Sequence, residues 1–168
     1  RLRGGGLLGF FRSRAADYVH MSRSADDGRT WSHAEATVLP SNNSGIQASV
    51  LQSGALAIVF NNRQGKGARW PLSVALSLDE GKTWPHCRDL EPLAADSNPP
   101  QGGDAAAQGR KGQGEYSYPS IVQSEDGTIH ISYTYRRETI KYVRISEDWI
   151  RRGSTVGWYK GQPTAPGA

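Results

Sequence analysis

The chain has 168 residues, 36% of them hydrophobic and 21% charged, with 20 glycines, 9 prolines, one cysteine and a formal net charge of +4. That length suits one ordinary domain, and the composition is that of a turn-rich protein made of many short strands. No apolar run is long enough for a membrane-spanning helix, Cys87 alone excludes an internal disulfide and a cysteine metal site, and the basic residues are scattered rather than gathered into a nucleic-acid stripe.

The first segment is basic and then apolar: Arg1-Leu2-Arg3, then Leu7-Leu8-Gly9-Phe10-Phe11. No small-residue pattern closes it as a signal peptide, so Gly5 to Phe11 is predicted as a strand ending in polar Arg12-Ser13-Arg14. The chain opens without Met, which points to a piece of something longer. A second alternating segment, Tyr18-Val19-His20-Met21-Ser22, runs into Ser24-Ala25-Asp26-Asp27-Gly28-Arg29-Thr30-Trp31. Asn42-Asn43-Ser44 is a glycosylation sequon, of use only in a secreted protein. Gln47 to Ser53 leads a second unit, followed by Gly54 to Phe60, the polar end Asn61-Asn62-Arg63, and Arg69 in the loop before Pro71. Leu72 to Leu76 then runs into Ser77-Leu78-Asp79-Glu80-Gly81-Lys82-Thr83-Trp84.

These two octads read S-x-D-x-G-x-T-W, the second 53 residues after the first. Each is a turn device between strands. Ser and Asp bond to nearby backbone, Gly28 and Gly81 supply positive φ, and Trp31 and Trp84 bury rings that pin the turn. Self-similarity at such a period marks a modular architecture. A third unit follows: Tyr118 to Ser124 as leading strand, Gly127 to Tyr133, Thr134-Tyr135-Arg136-Arg137, and Ile140 to Ile145. Ser146-Glu147-Asp148-Trp149 then reads as a decayed copy of the octad. Residues 94–114 (Ala, Gly, Gln and Pro rich) are expected to be a flexible insert, and 153–168 a disordered tail.

The octad resembles the Asp-box, or BNR repeat, of sialidases and related β-propellers, and the resemblance extends from about Gly6 to Ile150. It implies an all-β, sialidase-like propeller with a six-bladed parent, of which about three antiparallel blades are present (about 5–40, 45–93 and 115–150). Half a ring leaves open faces, as in a fragment of a longer protein or one of two copies completing a ring. The implied activity is exo-hydrolysis of a terminal anionic sugar, sialic acid or similar, by a retaining mechanism with a tyrosine nucleophile. The implied partner is a glycan, with no cofactor, no metal and no nucleic acid.

Residue by residue, Gly114-Glu115-Tyr116-Ser117-Tyr118-Pro119 resembles the family's nucleophile strand. Tyr116 is the expected nucleophile. Tyr118, two residues on and expected on the same face, is the fallback. Arg63 resembles the second carboxylate-binding arginine. Arg12 and Arg137 hold comparable places in units one and three, and Arg69 could reach inward. Guanidinium suits a sugar carboxylate because it binds it bidentately. The family's proton-accepting Glu falls near Gln47, whose amide cannot take that role. Glu115 lies beside Tyr116 but on the other face of a strand. The acid Asp and first Arg of the family would precede residue 1, and the blade carrying its third Arg is replaced by the insert.

His20 and His130 lie within strands and read as packing residues. Gly102-Gly103 follows no strand and is not a phosphate loop. Three other readings stay open: a noncatalytic carbohydrate-binding propeller, a lyase or hydrolase of uronate polysaccharide on the same scaffold, and a propeller that binds proteins through its rim.

Overall fold

The computed structural model describes residues 1–91 and 115–153. The predicted insert at 94–114, and the predicted tail beyond residue 153, lie outside the described residues. Three antiparallel sheets follow in chain order. The first holds β1 (Leu7–Phe11), β2 (Tyr18–Ser24) and β3 (Glu35–Pro40). The middle one holds β4 (Gln47–Val50), β5 (Leu56–Asn61), β6 (Leu72–Ser77) and β7 (His86–Glu91). The last holds β8 (Tyr116–Gln123), β9 (Ile129–Tyr135) and β10 (Thr139–Ile145), followed by the short helix α1 (Glu147–Arg151). No helix among the described residues is long and apolar enough to cross a membrane.

The sheets stack face to face, and the period-two alternation of side chains decides how. Every residue of β5 and β6 is buried. Leu56, Ile58, Phe60 and Ala75 face the first sheet and pack with Val19, Leu39 and Trp84. Ala57, Val59, Leu72, Val74 and Leu76 face the last sheet and pack with Ile121, Ile129, Ile131 and Tyr133. A strand covered on both sides reads as a continuous apolar run, as Leu56-Ala57-Ile58-Val59-Phe60 does. Burying each such side chain contributes about 1.5–3 kcal/mol, so the middle sheet needs both neighbours. The outward faces of the end sheets carry exposed apolar side chains: Phe11 and Trp31 on the first, Val122, Ile140 and Tyr142 on the last.

The two octads form one device built twice. Ser24 Oγ donates to Asp26 Oδ1 (2.9 Å) and accepts from the Gly28 N–H (2.8 Å), while Thr30 donates to Asp26 through its N–H (2.8 Å) and hydroxyl (2.6 Å). Ser77, Asp79, Gly81 and Thr83 repeat the pattern at 2.8, 2.8, 2.8 and 2.6 Å. Gly28 and Gly81 have φ of 88° and 84°, which only glycine adopts without cost. The tryptophans differ: Trp84 is 3% exposed and meets Phe10 edge-on at 6.0 Å, whereas Trp31 is 45% exposed. Trp84 has the first sheet against it. Trp31 lies over Gly9 on the face that no described sheet covers.

Ser146-Glu147-Asp148-Trp149 is not a third turn of this kind. It opens α1, with Ser146 Oγ as N-cap accepting from the Trp149 N–H at 3.1 Å. Without the glycine, nothing provides the positive φ the turn requires, and Ser followed by two acidic residues is a helix start. The turn chemistry instead recurs before β9, where Ser124 Oγ donates to Asp126 at 2.5 Å and Asp126 accepts from the Thr128 N–H at 2.9 Å. The sequon is also spent structurally: Asn42 is buried and its amide donates to the Ala68 carbonyl at 2.6 Å.

Candidate functional site

Strand direction sorts the molecule into two ends. Pairing of Leu7 with Ser24, Leu56 with Ser77 and Ile129 with Gln123 puts both octads and the Ser124–Thr128 turn at one end. Phe11, Asn61 and Tyr135 close β1, β5 and β9 at the other. The segments just beyond them carry Arg12, Arg63, Arg69, Arg136 and Arg137, and β8 starts there with Glu115 and Tyr116 beside it. Contacts tie these loops together. Gly65 N–H donates to the Ala16 carbonyl (2.9 Å), and Tyr116 N–H to the Arg69 carbonyl (2.9 Å).

The two tyrosines part company. The β8–β9 register shifts between Ser117 and Ser120, and Tyr118 takes a φ of 50°. This bulge breaks the alternation, so the expectation that Tyr116 and Tyr118 share a face fails. Tyr116 is 3% exposed, packed at 5.4 Å from Tyr135 and 6.3 Å from Tyr133. Burial pushes its phenol pKa up, the charge of Glu91 adds to that, and a hydrogen bond with Arg136 opposes both. Tyr118 is 64% exposed. The Arg69 guanidinium lies 5.1 Å from its ring centre. Hydrogen bonding to Arg69 lowers its pKa, helped by the charges of Arg69, Arg12 and Arg137. Four residues picked from the sequence (Arg12, Arg69, Tyr118 and Arg137) are thus brought together.

Glu115 lies beneath this group. Arg137 Nε donates to its carboxylate at 2.5 Å, and Arg69 Nε is 3.8 Å away. It is a counterion of arginines and not a partner of either phenol. Gln47 spends its carbonyl on the β8 backbone, accepting from the Ile121 N–H at 3.2 Å.

Arg63 is half-buried over Trp70, its guanidinium carbon 4.4 Å from the ring. Its Nε and Nη1 are buried without a hydrogen-bond acceptor, and burial lowers its pKa. Guanidinium donors left unpaired are costly. Nearby, Asn61 donates to the Tyr116 carbonyl at 3.1 Å while its own Oδ1 and that of Asn62 have no donor.

Two residues were missed in the sequence. Arg136 has a buried, unpaired Nε and lies 5.0 Å from the Tyr135 ring. Glu91 accepts from Tyr133 Oη at 2.5 Å and pairs with Lys141. The signal for Arg136 was the doubled arginine closing a hairpin. The turn Tyr135–Glu138 is closed by the Glu138 N–H on the Tyr135 carbonyl (3.0 Å), and its central residues Arg136 and Arg137 have φ of 55° and 56°. Such turns prefer Asn-Gly. Two arginines there are strained, and strain of this kind gathers at functional sites. Glu91 gave no local signal, since its partners come from β9 and β10. A cavity of about 620 Å³ opens between Leu90, Val143, Ile145 and Trp149 and is lined by none of the expected site residues.

A comparison with curated protein sequences found no match. Among solved structures, the chain is similar to the NanB sialidase of Streptococcus pneumoniae (17% identity, TM-score 0.64, covering 89% of this chain and 23% of that one). It is also similar to the Hadza microbial sialidase Hz136 (19%, 0.63, 87% and 26%) and to the intramolecular trans-sialidase of Ruminococcus gnavus, solved with oseltamivir carboxylate (18%, 0.58, 87% and 31%). The likeness establishes the propeller-type fold, and the chain spans less than a third of the length of each of these structures. The BNR repeat-like domain family matches residues 2–131, spanning both octads and most of the three stacked sheets, and the chain belongs to that family.

Proposed function

We propose that this chain carries part of the site of a sialidase-type exo-glycosidase acting on a terminal anionic sugar. The observation that supports it most is the exposed Tyr118 hydroxyl beside Arg69, in the field of Arg12 and Arg137. In this reading Arg12, Arg63 and Arg137 take the sugar carboxylate through charge-assisted, bidentate hydrogen bonds. Tyr118, and not the enclosed Tyr116, attacks the anomeric carbon. The bond to the leaving oxygen breaks with its electron pair and that oxygen takes a proton from solvent; water then attacks the anomeric carbon, gives up a proton to solvent and displaces Tyr118 as the phenolate, with net retention. Glu115 fixes Arg137 and Arg69. The similar trans-sialidase that holds oseltamivir carboxylate is consistent with such an anionic ligand.

Hydrolysis of a fluorogenic sialoside by the full-length parent protein tests this. Tyr118→Phe is expected to lower turnover by about 10³-fold or more, with Tyr116→Phe keeping most of it. Loss confined to Tyr116→Phe would return the nucleophile to Tyr116, and undiminished turnover in both would end the reading. One observation favours a second reading, a noncatalytic glycan-binding propeller: Gln47 stands where the family resemblance calls for a carboxylate. Saturable binding of sialyllactose without turnover would support it. Turnover of uronate oligosaccharides alone would move the site to that class of acidic sugar.

A further inference from the structure

The reaction proposed above requires a phenol oxygen that can react without its proton, and among the described residues no carboxylate hydrogen-bonds Tyr118. Gln47 is committed to the Ile121 N–H, and Glu115 to Arg137 with Arg69 nearby. What does lie against Tyr118 is a cation. The Arg69 guanidinium sits 5.1 Å from the ring centre, within cation–π range.

Arg69 is also held in place. Its carbonyl accepts from the Tyr116 N–H at 2.9 Å, and it forms an isolated parallel bridge with Glu115. The preceding carbonyl, of Ala68, accepts from Asn42 at 2.6 Å. The side chain is largely buried, with the Glu115 carboxylate 3.8 Å behind its Nε. Tyr118 is fixed from its own side by the bulge and its left-handed backbone. The charged groups facing the phenol come from three further segments: Arg12 after β1, Arg69 in the β5–β6 loop and Arg137 in the β9–β10 turn.

We infer that Arg69 is a positioning residue that activates Tyr118, its guanidinium facing the ring and favouring loss of the phenol proton as the oxygen attacks, in place of a carboxylate that would take that proton. The O–H bond breaks, the proton goes to bulk water, and the electron pair stays on the oxygen. Arg69 thereby acts on the nucleophile, while Arg12, Arg63 and Arg137 remain for the sugar carboxylate. The inference rests on the glycosidase reading for its use, but not for its measurement.

Absorbance titration of tyrosinate in the full chain, minus the same titration of Tyr118→Phe, isolates one phenol among seven tyrosines. It is expected to ionise below the ordinary tyrosine value of about 10. Arg69→Met is expected to shift it upward, and Arg69→Lys, which keeps the charge, to restore part of the depression. Circular dichroism confirms folding. If Arg69→Met fails to fold, the parent chain and Arg69→Lys decide the matter, since loss of the planar guanidinium facing the ring should by itself raise the transition measurably. Ionisation of Tyr118 at or above the ordinary value, or no shift on changing Arg69, overturns the inference. A depressed Tyr118 in a full-length parent that turns over no sialoside upholds the phenolate and defeats the glycosidase reading. Turnover with an ordinary Tyr118 does the reverse.

Discussion

Asp26 accepts hydrogen bonds from the Thr30 hydroxyl, the Thr30 N–H and the Ser24 hydroxyl, and these lower its pKa from 3.8 to about 2. A carboxyl whose folded pKa is depressed stabilises the fold above its ordinary value and loses that contribution as pH falls through the folded value. Asp26→Asn is therefore expected to reduce the slope of stability against pH between 3.8 and about 2, read by denaturant unfolding across that range. Asp126, also lowered to about 2, keeps part of the slope in that variant. Asp79 makes the same bonds in the second octad, nearer the core. Asp79→Ala strands the Thr83 N–H and two hydroxyls and is expected to cost about 2–3 kcal/mol. These effects belong to single side chains, and the repeated octad foretold them because all partners lie within six residues.

The β9–β10 hairpin shows a conflict between stability and the site. Arg136 and Arg137 both sit at positive φ, a strain of about 1–3 kcal/mol for each non-glycine residue. Replacing them with the pair such a turn prefers (Arg136→Asn with Arg137→Gly) is expected to raise the thermal midpoint. The same change removes the Arg137–Glu115 contact and Arg136 from Tyr116. Sialyllactose binding should weaken by about tenfold or more, as for loss of a charge-assisted pair. Calorimetry on one sample reads both. The hairpin itself was evident from two alternating runs around Arg136-Arg137. The bulge in β8 left one local mark, Pro119, which a strand tolerates only at an edge or a bulge, but where the register shifts is set by pairing with β9. That one displaced register decides which tyrosine faces solvent, which is why the resemblance points to Tyr116 while the proposal here uses the exposed Tyr118.

At the scale of the whole molecule, equal motifs meet unequal surroundings. Trp84 lies between the middle and first sheets, whereas Trp31 lies on the first sheet's uncovered face. Trp84→Ala is expected to cost about 3–5 kcal/mol and Trp31→Ala about 1 kcal/mol or less, measured by urea unfolding. The sequence by itself determined the strands, the two serine–aspartate turns and the recurrence that makes a propeller, because these depend on period-two patterning and on bonds spanning a few residues. Tertiary structure alone decided which arginines converge, that Glu115 serves them, and that Glu91 lies beneath Tyr133. Burial and charge proximity arise between segments tens of residues apart, and no local pattern of residue types encodes the register that joins them.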